Sequence, residues 1–236
     1  MSHSLKLSLS FLYASITLER FVYYGFRSII VLFFVAAIDE GGLGLETEDA
    51  LGKYAVFTGA VYLFMLLGGI IADFFLPAVK LLMLSIGFTV IGIVLILAKN
   101  IDVVYFALFF MSLGAGLFRP ASQALLSLQN ISERSKLDGV YGLEEVFINL
   151  GAMLGPLSIA IIAENVNWDL GFVLAGVAAL INYLLIRYSQ KYFYCGKLTW
   201  VDDDSIYANS AHVKRVGVIL FILFLAVWYY LPFDLS

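Results

Sequence analysis

The residues with the greatest chemical potential in this chain lie where an apolar run should hold none. Glu19, Arg20, Tyr23, Tyr24 and Arg27 interrupt a hydrophobic stretch from Leu7 to Ala37. Arg20, Tyr23, Tyr24 and Arg27 recur at steps of three, four and seven, so a helix carries them on one stripe with Glu19 at its edge. Guanidinium groups on such a stripe bind carboxylates, and the phenols beside them supply hydroxyl bonds and aromatic walls. Arg119 interrupts a second apolar run, and Glu144 and Glu145 a third. An ionised side chain at the centre of a bilayer costs at least about 2.5 kcal/mol on insertion scales, so these groups need partners or a wet cavity. Two arrangements meet that need: arginine–glutamate pairs that tie helices together, or the polar lining of a solute pathway. Arg27, towards the outer end of its run, can also snorkel.

The composition leaves one solvent for the elements that hold these residues. The chain has 236 residues, 62% hydrophobic and 14% charged, with a mean hydropathy of +0.95. A helix crosses the hydrocarbon with about 20 mostly apolar residues, and such windows recur at Leu7–Ala37, Leu51–Ala72, Leu81–Ala98, Val103–Leu128, Gly139–Ala163, Leu170–Tyr188 and Val216–Leu231. A membrane β-barrel would alternate apolar and polar residues, whereas Leu81–Leu97 is apolar on every face. The expected fold is therefore an all-α, multi-pass integral membrane protein. It consists of a six-helix bundle over residues 1–188, a polar linker over 189–215 and a seventh helix over 216–236 that begins a second bundle.

Lysine and arginine set the orientation, because short cytoplasmic loops retain positive charge. With the N-terminus in the cytoplasm, Lys6, Lys80, Arg134, Lys136, Arg187, Lys191, Lys197, Lys214 and Arg215 fall inside and only Lys53 and Lys99 outside. The first outside loop, with Asp39, Glu40, Glu46, Glu48 and Asp49, reads as a solvated acidic loop. The N-terminal apolar run resembles a signal peptide until Glu19 and Arg20 break it without a small-residue cleavage site, so it is expected to stay on the chain; the expected location is the cell (inner) membrane.

Small residues at Gly68 and Gly69, Gly114 and Gly116, and Gly151 and Gly155 have the spacing that lets membrane helices approach closely. Pro120 and Pro156 fall within spans, where each frees a carbonyl. The single cysteine, Cys195, excludes an intrachain disulfide and a thiolate metal cluster. There is no HExxH, no paired histidine and no nucleophile beside a base, so the sequence carries no enzyme signature, no metal site and no cofactor site. The aromatics, 16% of residues, suit spans and interfacial belts rather than nucleic-acid stacking.

The run Glu19-Arg20-Phe21-Val22-Tyr23-Tyr24-Gly25 resembles the first-helix signature ExxERFxYYG of the proton-dependent oligopeptide transporters, a branch of the major facilitator superfamily. Gly68-Gly69-Ile70-Ile71-Ala72-Asp73 followed by Lys80 resembles the superfamily's loop between helices two and three, with Phe74 in place of a basic residue and Pro77 in place of a glycine. Gly114-Ala115-Gly116-Leu117-Phe118-Arg119-Pro120 is similar to the fourth-helix GxGxxKP motif, and Ile148-Asn149-Leu150-Gly151 to the end of the fifth-helix motif FYxxINxGS. The resemblance covers the N-terminal bundle of that family.

By that resemblance the chain is the N-terminal half, or a truncated form, of a secondary transporter that takes up di- and tripeptides or related small solutes with protons. Its partners would be the lipid bilayer, the solute, protons, and a second half-transporter or a second copy of itself. Glu19 and Arg20 would serve proton coupling. Tyr23, Tyr24, Arg27, Tyr62, Arg119 and Asn149 would face the peptide, and Asp73 and Lys80 would belong to a conformational loop. Two departures alter the coupling chemistry. The first glutamate of ExxERF is Ile16, and the fourth-helix lysine is Arg119, whose guanidinium does not titrate. A buried glutamate can hold a proton near neutrality, so Glu144 or Glu145 is expected to replace the carboxylate missing at Ile16. A membrane protein that transports nothing and serves a structural, partner-binding or regulatory role is the alternative.

Overall fold

The computed structural model describes residues 3–129 and 137–193. Six long helices make up this part: α1 His3–Val35, α2 Thr47–Phe74, α3 Ala78–Ile96, α4 Ile101–Gln129, α5 Leu137–Asn165 and α6 Trp168–Ser189. Their ends differ from the hydropathy windows by at most four residues: most run past the apolar stretch, while α1 and α3 stop two residues short of it at their C-terminal ends. The expected seventh helix and all but the start of the linker lie outside the described residues. The linker's first residues continue α6 as a 3-10 turn over Gln190–Tyr192.

Five of these helices, α2 to α6, are long and apolar enough to cross a membrane. The fold is all-α and the chain is an integral, multi-pass membrane protein. α1 is the longest helix, at 33 residues, but Glu19, Arg20 and Arg27 along it dilute its apolar character.

Turn chemistry separates the helices. The α1–α2 loop reverses through Gly41 and Gly44, at φ +83° and +64°, a backbone region that costs a glycine nothing. Pro77 at φ −57° and ψ 137° precedes α3 in an extended conformation that stops α2 from running on. Asn167 caps α6 by accepting a hydrogen bond from the Leu170 amide at 2.8 Å. Lys99 reaches Asp169 at 2.9 Å and so joins the α3–α4 turn to the start of α6.

α1 packs most extensively along α5, and α3 along α4, with α2 against α4 and α6 against α1. Van der Waals contact must carry much of this association, because lipid tails are as apolar as the side chains they replace. Glycine makes the contact close. A β-carbon at Gly151 or Gly155 would run into the Thr17 or Phe21 carbonyl of α1. One at Gly116 would lie 2.7 Å from the Val61 carbonyl of α2, and one at Gly68 would lie 2.6 Å from Pro120 on α4. Gly69 departs from the expected pairing: nothing lies within 4 Å of the position its β-carbon would take, because adjacent helical residues point about 100° apart and only Gly68 faces α4.

Towards the α1–α2 loop the core is aromatic. Phe33 and Phe172 meet edge to face with centroids 5.0 Å apart, and Phe26 lies 5.7 Å from Phe57 and 5.8 Å from Phe172. α5 instead presents Leu143, Val146, Met153, Leu157 and Ile161 outward, each half or more exposed. Glu145, Asn149 and Met153 follow at steps of four on that open side, so the outer face of α5 is polar at one end and apolar along the rest.

Candidate functional site

The stripe on α1 folds against two neighbours, and its charges divide into two groups about 10 to 12 Å apart along the helix axis. At one level Arg27 Nε donates to the Tyr54 hydroxyl of α2 at 2.9 Å. The Arg27 guanidinium lies 5.4 Å from the Tyr23 ring centroid and 5.5 Å from that of Tyr54. No carboxylate pairs with Arg27 among the described residues. A guanidinium held by phenols alone keeps donors free for an incoming anion.

At the other level Glu19 and Arg20 are only 4% and 8% exposed, and Arg20 Nε donates to the Glu19 carboxylate. This ion pair joins neighbours on one helix and does not link two helices. Arg20 also lies over the Tyr23 ring at 5.1 Å and the Tyr24 ring at 5.9 Å. Tyr23 is itself buried, 7% exposed, so it forms the wall between the two arginines, while Tyr24 is half-buried.

Arg119 on α4 and Glu145 on α5 form the one cross-helix ion pair recorded among these charges, at 3.8 Å and largely exposed. Asn149 donates its amide to the Glu145 carbonyl at 2.8 Å, leaving its side-chain oxygen free on an exposed surface. Glu144, one residue away, turns inward and is 2% exposed. Its carboxyl has no hydrogen bond or ion pair among the described residues. α1 packs on both α4 and α5, and the three helices bring Glu19 and Arg20, Arg119, and Glu144 and Glu145 to one bundle: three carboxyl groups and two guanidiniums, in two ion pairs with Glu144 left over.

Not every predicted site residue joins these groups. Tyr62 is 61% exposed and makes no hydrogen bond or ring contact among the described residues. Asp73, the penultimate residue of α2, and Lys80, in the first turn of α3, flank the α2–α3 turn, both exposed and without an ion pair to each other. Ile16 is buried in an apolar cluster with Leu12, Tyr13 and Phe118, so its position is filled by packing. Tyr54 was not legible as a site residue, being 27 positions from Arg27 and on another helix.

A model of the Major Facilitator Superfamily matches residues 11–233. The chain belongs to this superfamily. Over 175 residues it is 32% identical to a di-/tripeptide transporter of Lactococcus lactis, which covers 73% of this chain and 35% of that protein. It is 29% identical over 184 residues to the peptide transporter YePEPT of Yersinia enterocolitica, covering 76% of this chain and 36% of that protein. These relatives and the first-helix signature place it in the oligopeptide transporter branch of the superfamily. The solved structure of a peptide transporter POT in complex with sulfate superposes with a TM-score of 0.79 at 24% identity, covering 97% of this chain and 47% of that one. A POT family transporter in complex with 5-aminolevulinic acid gives 0.75 at 20% identity. Those two structures share the superfamily fold with this chain, which spans about a third of the length of these curated relatives.

Proposed function

We propose that this chain supplies one six-helix bundle of a proton-coupled transporter of di- and tripeptides or similar small solutes. The observation that carries the reading is the divided stripe of α1: an arginine open to an anion at one level and a carboxylate-rich cluster at the other. Arg27, Tyr23, Tyr24 and Tyr54 receive the solute's carboxylate, with Arg119, Asn149 and Tyr62 on the open face completed by a second bundle. The relatives named as di-/tripeptide transporters support this choice of solute.

Proton coupling rests on charge arithmetic. Three carboxylates against two guanidiniums leave the cluster with one negative charge in excess, and arginines do not release theirs. In a low-dielectric site that excess is removed by taking up one proton. Glu19 is bound to Arg20, and Glu145 faces Arg119 and water, so Glu144, buried without a direct partner, holds it. Arg20 and Arg119 transmit the change in charge to Glu19 and to the face that meets the solute. Asp73 and Lys80 lie at the α2–α3 turn, where bundle movement is accommodated.

The N-terminus lies in the cytoplasm. Lys6, Lys80, Arg187 and Lys191 gather at the bundle end where α1 begins, and Lys53, Lys99 and the acidic α1–α2 loop at the opposite end.

Binding of a labelled dipeptide tests the anion site. Arg27→Ala is expected to raise Kd roughly ten- to a hundredfold, the range for losing a hydrogen bond to a charged group. Tyr54→Phe, which leaves the guanidinium in place, is expected to raise it only about fivefold. Unchanged affinity in Arg27→Ala would remove the solute assignment.

A further inference from the structure

On the opposite side of the bundle, α3 and α6 enclose a groove of about 420 Å³. Its floor and walls are Met83, Leu84, Gly87, Phe88 and Ile91 of α3, with Tyr183 of α6. Gly87 makes the notch, since nothing lies within 4 Å of the position its β-carbon would occupy. One end of the groove is marked by Lys80, which is exposed and has no side-chain hydrogen bond or ion pair among the described residues. α6 runs antiparallel to α3, so Arg187, exposed and one helical turn beyond Tyr183, comes to the same end. The groove is therefore basic at the interface and apolar along its length.

Its length fits one ligand class. From Lys80 to Ile91 the helix rises about 16 Å, which is half of a hydrocarbon core of about 30 Å. A cationic mouth at the headgroup level, a phenol beside it and an apolar channel ending near the bilayer centre match one phospholipid of a single leaflet. We propose that the α3–α6 groove is a binding site for an acidic phospholipid, with the phosphate on Lys80 and Arg187 and an acyl chain laid across Gly87. Basic residues at the membrane surface favour anionic headgroups. This site requires only that the chain span a membrane and does not depend on the transport reading.

Phosphatidylglycerol carrying a photoactivatable diazirine in its acyl chain tests the site directly. The protein is reconstituted in bilayers, irradiated and digested, and the labelled peptides are mapped. Adducts are expected between Met83 and Ile91, at least about fivefold more with phosphatidylglycerol than with the matching phosphatidylcholine. The double replacement Lys80→Gln and Arg187→Gln is expected to bring the two lipids to equal labelling. Gly87→Phe, which has room for its ring only in the groove, is expected to remove both. Labelling spread evenly over the other exposed helix faces, or a headgroup preference that survives the Lys80 and Arg187 replacements, would overturn the proposal. Should Gly87→Phe fail to fold, the two exposed-residue replacements still decide it.

Discussion

Glu144→Gln is expected to reduce accumulation of a labelled dipeptide driven by an imposed pH gradient by on the order of a hundredfold, the scale of removing a positioned proton carrier. Counterflow exchange of the same peptide, which needs no net proton movement, is expected to stay within about twofold. The expectation follows from the count of charges. With glutamine at 144, Glu19 and Glu145 balance Arg20 and Arg119, the cluster is neutral, and no proton is needed to make it so. Glu145→Gln breaks an ion pair that is largely exposed, 44% and 59% at its two side chains. Such a pair is worth about 1 kcal/mol or less, so gradient-driven uptake is expected to fall by less than about fivefold. Vesicles containing the complete transporter allow both measurements. Gradient-driven uptake that survives in Glu144→Gln would remove the proton assignment, whereas a wild-type protein without counterflow would remove the transport reading itself.

Gly155→Leu is expected to lower stability by at least about 3 kcal/mol, at the upper end of overpacking penalties. The first carbon of any side chain there meets the Phe21 carbonyl of α1, and a backbone carbonyl in a helix has no rotamer by which to move aside. α1 and α5 would separate, and the charge cluster between them would open with them. Unfolding by increasing denaturing detergent, followed by circular dichroism, measures the loss. Gly69→Ala provides the contrast: its β-carbon meets nothing, and alanine favours a helix by about 1 kcal/mol over glycine. Equal behaviour of the two variants would show that the close α1–α5 approach does not hold the bundle together.

The amino-acid sequence determined a great deal about this protein because a bilayer enforces a simple rule. Backbone polar groups must be satisfied within the segment that crosses, so apolar windows of the right length become helices. The six helices observed in the described residues lie where the windows placed them. The charges at Glu19, Arg20, Arg27, Arg119, Glu144 and Glu145 were legible by the same rule, since ionised groups are conspicuous in an apolar run. The branch of the superfamily was legible in the motifs those charges share with their neighbours.

Which charges meet was set by the packing of the helices. Arginines and glutamates in three apolar runs allowed pairing between helices, yet Glu19 and Arg20 close on each other, because a long arginine side chain can curl back to the adjacent residue. Glu144 and Glu145 are neighbours of the same type, and nothing in the order of residues favours either. The helical turn of about 100° per residue sends one inward to 2% exposure and the other out to Arg119. Gly68 and Gly69 separate for the same reason. Tyr54 joined Arg27 across 27 positions of chain through the packing of α2 beside α1, a contact that no local periodicity records. Composition and spacing thus established that charges lie within the membrane. The rotation of each helix against its neighbours determined the pairs they form and which carboxyl was left without one.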